Sequence, residues 1–214
     1  MLLINDLDGA RSVTFGNRLR AVSQWMAAKL GRTSHEHRVA RIAARLFDLT
    51  RRLHGLGRRY RRALKAGALL HDVGRCQGAG RHHITGARLI LASRSLPLRS
   101  WERHVAAFLA RYHRGPVPED REWDELGRER DGMRILLGLL RAADALDSRR
   151  LSHPALAIRL RGSDLRIRCH IHGQWRRAQQ AFRKRRKFTL LRLALGLRVK
   201  LQLRRVDEPA ASRV

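Results

Sequence analysis

The stretch Ala68-Leu69-Leu70-His71-Asp72-Val73-Gly74 sets an imidazole beside a carboxylate at the end of an apolar helical run. In a chain of 214 residues with 11 His, that dipeptide alone carries little weight. Its surroundings decide the reading. Upstream, His35 opens the amphipathic run His35-x-x-x-Val39-Ala40-x-x-Ala43. Downstream, Asp144 lies in Leu140-Arg141-Ala142-Ala143-Asp144-Ala145-Leu146-Asp147. Each of these side chains rides on an apolar helix, so a folded bundle can bring His35, His71, Asp72 and Asp144 together. Any one of them alone reads more simply as a core or first-turn residue. The four together read as nitrogen and oxygen ligands of a divalent metal, and imidazole with carboxylate suits Mn, Fe, Co, Ni or Zn.

The first two thirds of the chain carry helical periodicity. Asn17 to Leu30 places Leu19, Val22, Trp25, Met26 and Leu30 on one stripe. Thr33 with Glu36 three residues on predicts a capping box for the next helix, which Gly55 and Gly57 end. A third helix is expected over Arg58 to Val73, with Gly74 as its cap. A short fourth covers His82 to Leu91. Ser100 is expected to cap a helix through Tyr112, and Pro116 and Pro118 mark a loop. A long helix follows from about Asp131 to Asp147. Asp147 falls near the face of Asp144 and is read as solvated, with a role beside the metal ligands as the alternative.

The period then changes. Leu156-x-Ile158-x-Leu160 alternates, turns at Gly162-Ser163-Asp164 and alternates again as Leu165-x-Ile167-x-Cys169-x-Ile171. That predicts a hairpin. Gln174 to Leu193 reads as one helix, and Leu197-x-Val199-x-Leu201-x-Leu203 as a third strand. The expected architecture is mainly α: a helical bundle over 17–153, then a small α+β (β-β-α-β) module over 154–206 that starts at Pro154. Residues 1–16 form an extension and 207–214 a frayed tail.

The His/Asp pattern resembles the HD superfamily of metal-dependent phosphohydrolases, with His35 at the first His, His71-Asp72 at the signature pair and Asp144 at the final Asp. The resemblance narrows with Ala21 to Asp48, Gly80-x-His82-His83, Tyr112-His113-Arg114 and the sequence after residue 155. These resemble the HD-like C-terminal region of Ppx/GppA phosphatases, over roughly residues 17 to 205. The resemblance implies further ligands at His82 or His83, which compete for one role, and at His113. It implies one or two divalent ions, Mg included. Two ions would share Asp72, clamp a phosphate and activate a water. Asp72, His71, His82 and His113 are then the catalytic candidates. In that family, phosphate hydrolysis belongs to an N-terminal actin-like region. Leu7-Asp8-Gly9-Ala10-Arg11-Ser12 only faintly resembles its phosphate loop, and no strand-loop-strand unit follows. Any chemistry is therefore expected from the HD site.

Composition bounds the partners. The net charge is +29, from 47 basic and 18 acidic residues. Arg outnumbers Lys 42 to 5, which a GC-rich genome also produces. A surface this positive attracts polyanions whatever its origin. Arg75, Arg81, Arg111 and Arg114 are candidate phosphate ligands. In the strands, Arg166, Arg168, Arg198 and Lys200 alternate with apolar residues, as do Arg159, Arg161, His170, Gln202 and Arg204, so one sheet face would be cationic. The expected partner is a phosphorylated small molecule (a nucleotide or guanosine-polyphosphate alarmone) or polyphosphate, with nucleic acid and a second copy of the chain (a homodimer) as further candidates. A non-catalytic polyanion-binding module on the same scaffold is the alternative function. Cys76 and Cys169 are too few for a disulfide framework, and a cytoplasmic location is expected. No signal peptide and no run of about 18 apolar residues is present, so no membrane span is expected.

Overall fold

The computed structural model describes residues 15–148, 154–182 and 185–206. The N-terminal extension with its Leu7–Ser12 run, the segment before Pro154, Arg183, Lys184 and the tail from Asp207 lie outside the described residues. The architecture is mainly α with a small sheet near the C-terminus, as the periodicities predict.

Helix α1 (Phe15–Leu30) buries Val22 and Met26. Helix α2 (Ser34–His54) buries Val39, Ala43, Leu46 and Phe47, the i, i+4, i+7, i+8 stripe of an amphipathic helix. Gly55 ends it in the left-handed conformation at φ 63°, with its N–H donating to the Arg51 carbonyl at 2.9 Å. The expected capping box is not formed: Thr33 makes no side-chain cap, and Glu36 is buried instead. Helix α3 (Arg58–Leu70) stops three residues sooner than predicted, so His71 and Asp72 sit in the turn before a 3-10 segment (Val73–Gln77). Helices α4 (His82–Ala92) and α5 (Ser100–Tyr112) follow. Ser100 is the first residue of α5 and not its cap. The Glu102 carboxylate accepts the Arg99 backbone N–H at 3.2 Å there. A short helix α6 (Asp120–Asp124), which the sequence reading treats as loop, precedes α7 (Arg130–Leu146).

Helix α7 is the axis of the bundle. Leu136, Leu137, Leu139 and Leu140 are all fully buried, against α2, α3 and α5. Each such side chain contributes about 1.5–3 kcal/mol by leaving water. With aromatics at 5%, leucine and alanine do most of this filling.

Strands β1 (Ala155–Arg161) and β2 (Asp164–His172) form the predicted antiparallel hairpin, with Ile158 opposite Ile167. Strand β3 (Arg198–Val206) pairs with β2 in parallel, which requires a crossover. The crossover is not the single helix expected from Gln174 to Leu193. It is α8 (Trp175–Phe182), a 3-10 turn (Arg185–Phe188) and α9 (Thr189–Leu195). The reason lies in the phase of the apolar residues. Ala178 and Phe182 are helical neighbours, as are Phe188 and Leu191. Phe182 and Phe188 are not, so one straight helix cannot bury both pairs. The break lets α8 lie on β2 while α9 packs on α7. That packing is close: a Cβ on Gly138 would stand 2.9 Å from the Leu191 Cα. Among the described residues, no helix is long and apolar enough to cross a membrane.

Candidate metal centre

Four histidine rings and two carboxylates converge where α2, the α3 turn, α4, the end of α5 and α7 meet. His35, His71, Asp72, His82 and His113 are all at most 4% exposed. Asp144 stands beside them with a side chain 13% exposed. The ring centroids of His35 and His71 are 5.3 Å apart, those of His71 and His113 5.0 Å, and those of His82 and His113 5.4 Å.

The hydrogen bonds orient each ring. His71 Nδ1 donates to the Ala68 carbonyl at 2.7 Å, His82 Nδ1 to Ala79 at 2.8 Å, and His113 Nδ1 to Ala110 at 2.8 Å. His35 Nδ1 donates to Asp147 Oδ2 at 2.7 Å. These oxygens only accept, so the proton of each neutral ring is on Nδ1 and the lone pair is on Nε2. The Nε2 atoms face carboxylates. His35 and His71 lie 3.4 and 3.8 Å from Asp144 Oδ1. His71 is also 3.9 Å from Asp72 Oδ2. His82 and His113 lie 2.8 and 3.4 Å from Asp72 Oδ1. Buried lone pairs thus face buried carboxylates, which is repulsive without positive charge between them. His71 Nε2 is buried and has no hydrogen-bond partner. The groups His35/His71/Asp144 and His71/Asp72/His113 each offer three ligand atoms within 4.8 Å of one another. The donor set therefore fits divalent cations. Histidine Nδ1–H bound to carbonyl or carboxylate, with Nε2 turned inward, is how metal-ligating rings are held.

Electrostatics point the same way. Burial pushes His113 down to about 4, leaving it neutral at neutral pH. Burial opposes charge on Asp72, but protons on the Nε2 atoms of His71, His113 and His82, where a cation would otherwise stand, hold it far below the usual carboxylate range. Burial likewise opposes charge on Asp144, and His35, His71 and Lys187 hold it well below that range. Burial opposes charge on His71 as well, yet the two carboxylates raise it above its ordinary value. The centre draws positive charge to the position where His71 Nε2 stands.

Asp147 corrects the sequence reading. It is 3% exposed, not solvated, and bridges His35 Nδ1 to the Arg38 Nε, which donates to Oδ1 at 2.6 Å. Its i+3 spacing from Asp144 is the signal that hinted at this. Replacing Asp147 with Asn is expected to loosen His35 and weaken metal affinity by about 10–100-fold. Titration of the metal-stripped variant with Mn²⁺ measures that.

A cavity of about 420 Å³ opens onto the cluster. Four cations line it: Arg75, Arg114, Arg141 and Lys187. Arg75 Nε is 3.8 Å from Asp72 Oδ2, and the Arg114 guanidinium is 3.4 Å from His82 Nδ1. Ala145, Ala181, Phe182 and Phe188 form an apolar wall. Lys187 forms an ion pair with Asp144 Oδ2, on the side of that carboxylate away from the histidines' Oδ1. The other predicted residues fall elsewhere. His83 follows His82 on α4, but it is only half-buried and does not line the cavity, whereas His82 is buried with Nε2 2.8 Å from Asp72 Oδ1. Arg81 is exposed, and Arg111 lies over the Tyr112 ring at 5.4 Å; neither lines the cavity. Arg141 and Lys187 are the two the sequence reading missed.

A family model described as Ppx/GppA phosphatase, domain III, matches residues 18–180. The chain belongs to this family. No curated protein matches it. The Ppx/GppA domain III match takes in every residue of the His/Asp cluster and stops inside α8. Lys187, Phe188 and α9 are beyond it. Membership in a phosphatase family gives the centre its chemical context, and the cluster supplies side chains that can hold metal.

Proposed function

We propose that the chain is a metal-dependent phosphohydrolase of the HD type, acting on a phosphorylated small molecule such as a nucleotide or guanosine-polyphosphate alarmone, or on polyphosphate. The observation that carries this reading is the buried set of inward lone pairs and carboxylates under a mouth of four cations. His35, His71, Asp72 and Asp144 would hold one ion, and His82 and His113 a second, with Asp72 common to both. Divalent ions so held polarise phosphoryl oxygens and acidify water.

The chain's own residues do the rest. Arg75, Arg114, Arg141 and Lys187 offer charge-assisted hydrogen bonds to phosphate oxygens, Arg in the bidentate form that suits them. The Phe182/Phe188 wall offers apolar surface to the remainder of the substrate. Asp147 and Arg38 keep His35 in register. The reading places this work in the cytoplasm, and the free thiols of Cys76 and Cys169 support a reducing compartment.

The test is a panel of nucleotides, an alarmone, polyphosphate and a generic phosphodiester, assayed with Mn²⁺ and after chelation. At least one substrate should release phosphate or a nucleotide only with metal. Lys187→Ala should raise KM for that substrate about tenfold with kcat little changed, since it removes a binding contact and no metal ligand. Metal binding without turnover on any substrate would leave the pocket as a binding module for phosphorylated ligands.

A further inference from the structure

One face of the sheet carries a dense set of cations. Side chains alternate between faces along a strand. Leu165, Ile167, Cys169 and Ile171 of β2 point inward and are buried. The opposite face carries Arg159 and Arg161 on β1, Arg166 and Arg168 on β2, and Arg198, Lys200 and Arg204 on β3, all exposed. Seven permanent cations share this face with one carboxylate, Asp164, whose Oδ1 accepts from Arg198 Nε at 2.6 Å. None of the seven lines the metal cavity.

The register makes the arrangement costly. Arg159 lies opposite Arg166, and Arg166 is the partner of Lys200. A row of three cations therefore crosses all three strands without an acid between them. Like charges directly opposite in a sheet destabilise it. The cost falls when an anion lies across the row.

The spacing says which anion. Cations on one strand recur every second residue, about 6.6 Å apart, and neighbouring strands lie about 4.8 Å apart. Successive phosphates along a nucleic-acid strand are spaced comparably. Those of inorganic polyphosphate share a bridging oxygen and crowd much closer. Among the described residues, the three strands place no Phe, Tyr or Trp side chain on this face for an unpaired base to stack on. Recognition here rests on backbone phosphates, which among nucleic acids a duplex presents more densely than a single strand. We propose that this sheet face is a docking surface for duplex nucleic acid, bound through its phosphates without reading sequence.

The test uses the full chain and fluorescence-anisotropy titrations with a short RNA duplex, the DNA duplex of the same sequence, one of the single strands, and polyphosphate. The platform variant is Arg159→Gln/Arg166→Gln/Lys200→Gln. A control, Arg41→Gln/Arg45→Gln/Arg52→Gln, removes the same charge from exposed positions on α2. At least one duplex should bind the parent more tightly than the single strand, and the two duplex arms identify which nucleic acid fits. The platform variant should bind about tenfold more weakly at low salt, and its slope of log affinity against log salt should be shallower by about 3, one for each lost phosphate contact. The control should keep the parental affinity. Equal loss in both variants, no loss in either, or a larger loss of polyphosphate binding than of duplex binding in the platform variant would overturn the proposal. Metal content and helicity of the platform variant should match the parent, which separates this surface from the metal centre.

Discussion

His71→Ala/Asp72→Ala should leave the purified chain without bound metal, where the parent should retain the one or two ions proposed for it. His71 belongs to both potential ligand groups and Asp72 to one of them, so no complete triad survives their loss. The thermal signature should change with it. An ion at a thousand times its dissociation constant stabilises the folded chain by about 4 kcal/mol. Added Mn²⁺ should therefore raise Tm in the parent and leave it unmoved in the variant. Circular dichroism of the metal-stripped parent and variant separates loss of the site from loss of the fold. Equal metal content in two folded proteins would sink the assignment.

Gly74→Ala should be the most damaging Gly→Ala change among the described glycines. A Cβ there would run into the His82 carbonyl oxygen and the Gly86 N–H, and would sit 2.9 Å from the Gly86 Cα. These are backbone atoms of α4, which no rotamer change can move aside. The glycine predicted as a helix cap is in fact the point where the segment carrying Asp72 touches the helix carrying His82. Relieving the clash means displacing the first turn of α4. The expected cost is about 3 kcal/mol, roughly a 10 °C lower Tm for a chain of this size. Affinity at the His82/His113 half of the centre should weaken as well. Gly80→Ala, where nothing lies within 4 Å of the added carbon, serves as the control and should change Tm little. A Gly74→Ala protein as stable as the parent would show that α4 is free to shift.

Much of the candidate site was legible because its residues stand at apolar-face positions of helices. His35 and Asp144 each follow the stripe of their own helix, and a bundle has only one interior to turn them toward. The choice between His82 and His83 was not legible. Neighbours on a helix point in different directions, and only the Ala79 carbonyl, which catches His82 Nδ1, shows which ring turns inward. Lys187 was beyond reach for another reason: it meets Asp144 across 43 residues, through a crossover whose break the helical pattern concealed. Apolar periodicity tells that an element has a face. It does not tell that one run of residues has two faces, which is why α8 and α9 read as one helix. The hairpin was legible down to its turn, since strict alternation leaves a single register that buries Ile158 and Ile167 together.

The order of parts along the chain has a consequence for the protein as it is made. Every proposed metal ligand lies between His35 and Asp144, whereas Lys187 and the Phe182/Phe188 wall come only with the crossover. A growing polypeptide thus completes its ion-binding constellation well before the wall that narrows access to it. Gly138 holds the place where α9 will later rest. For an interval during synthesis the centre stands open to the solvent on that side, and an ion can enter by a route that the finished fold has partly built over.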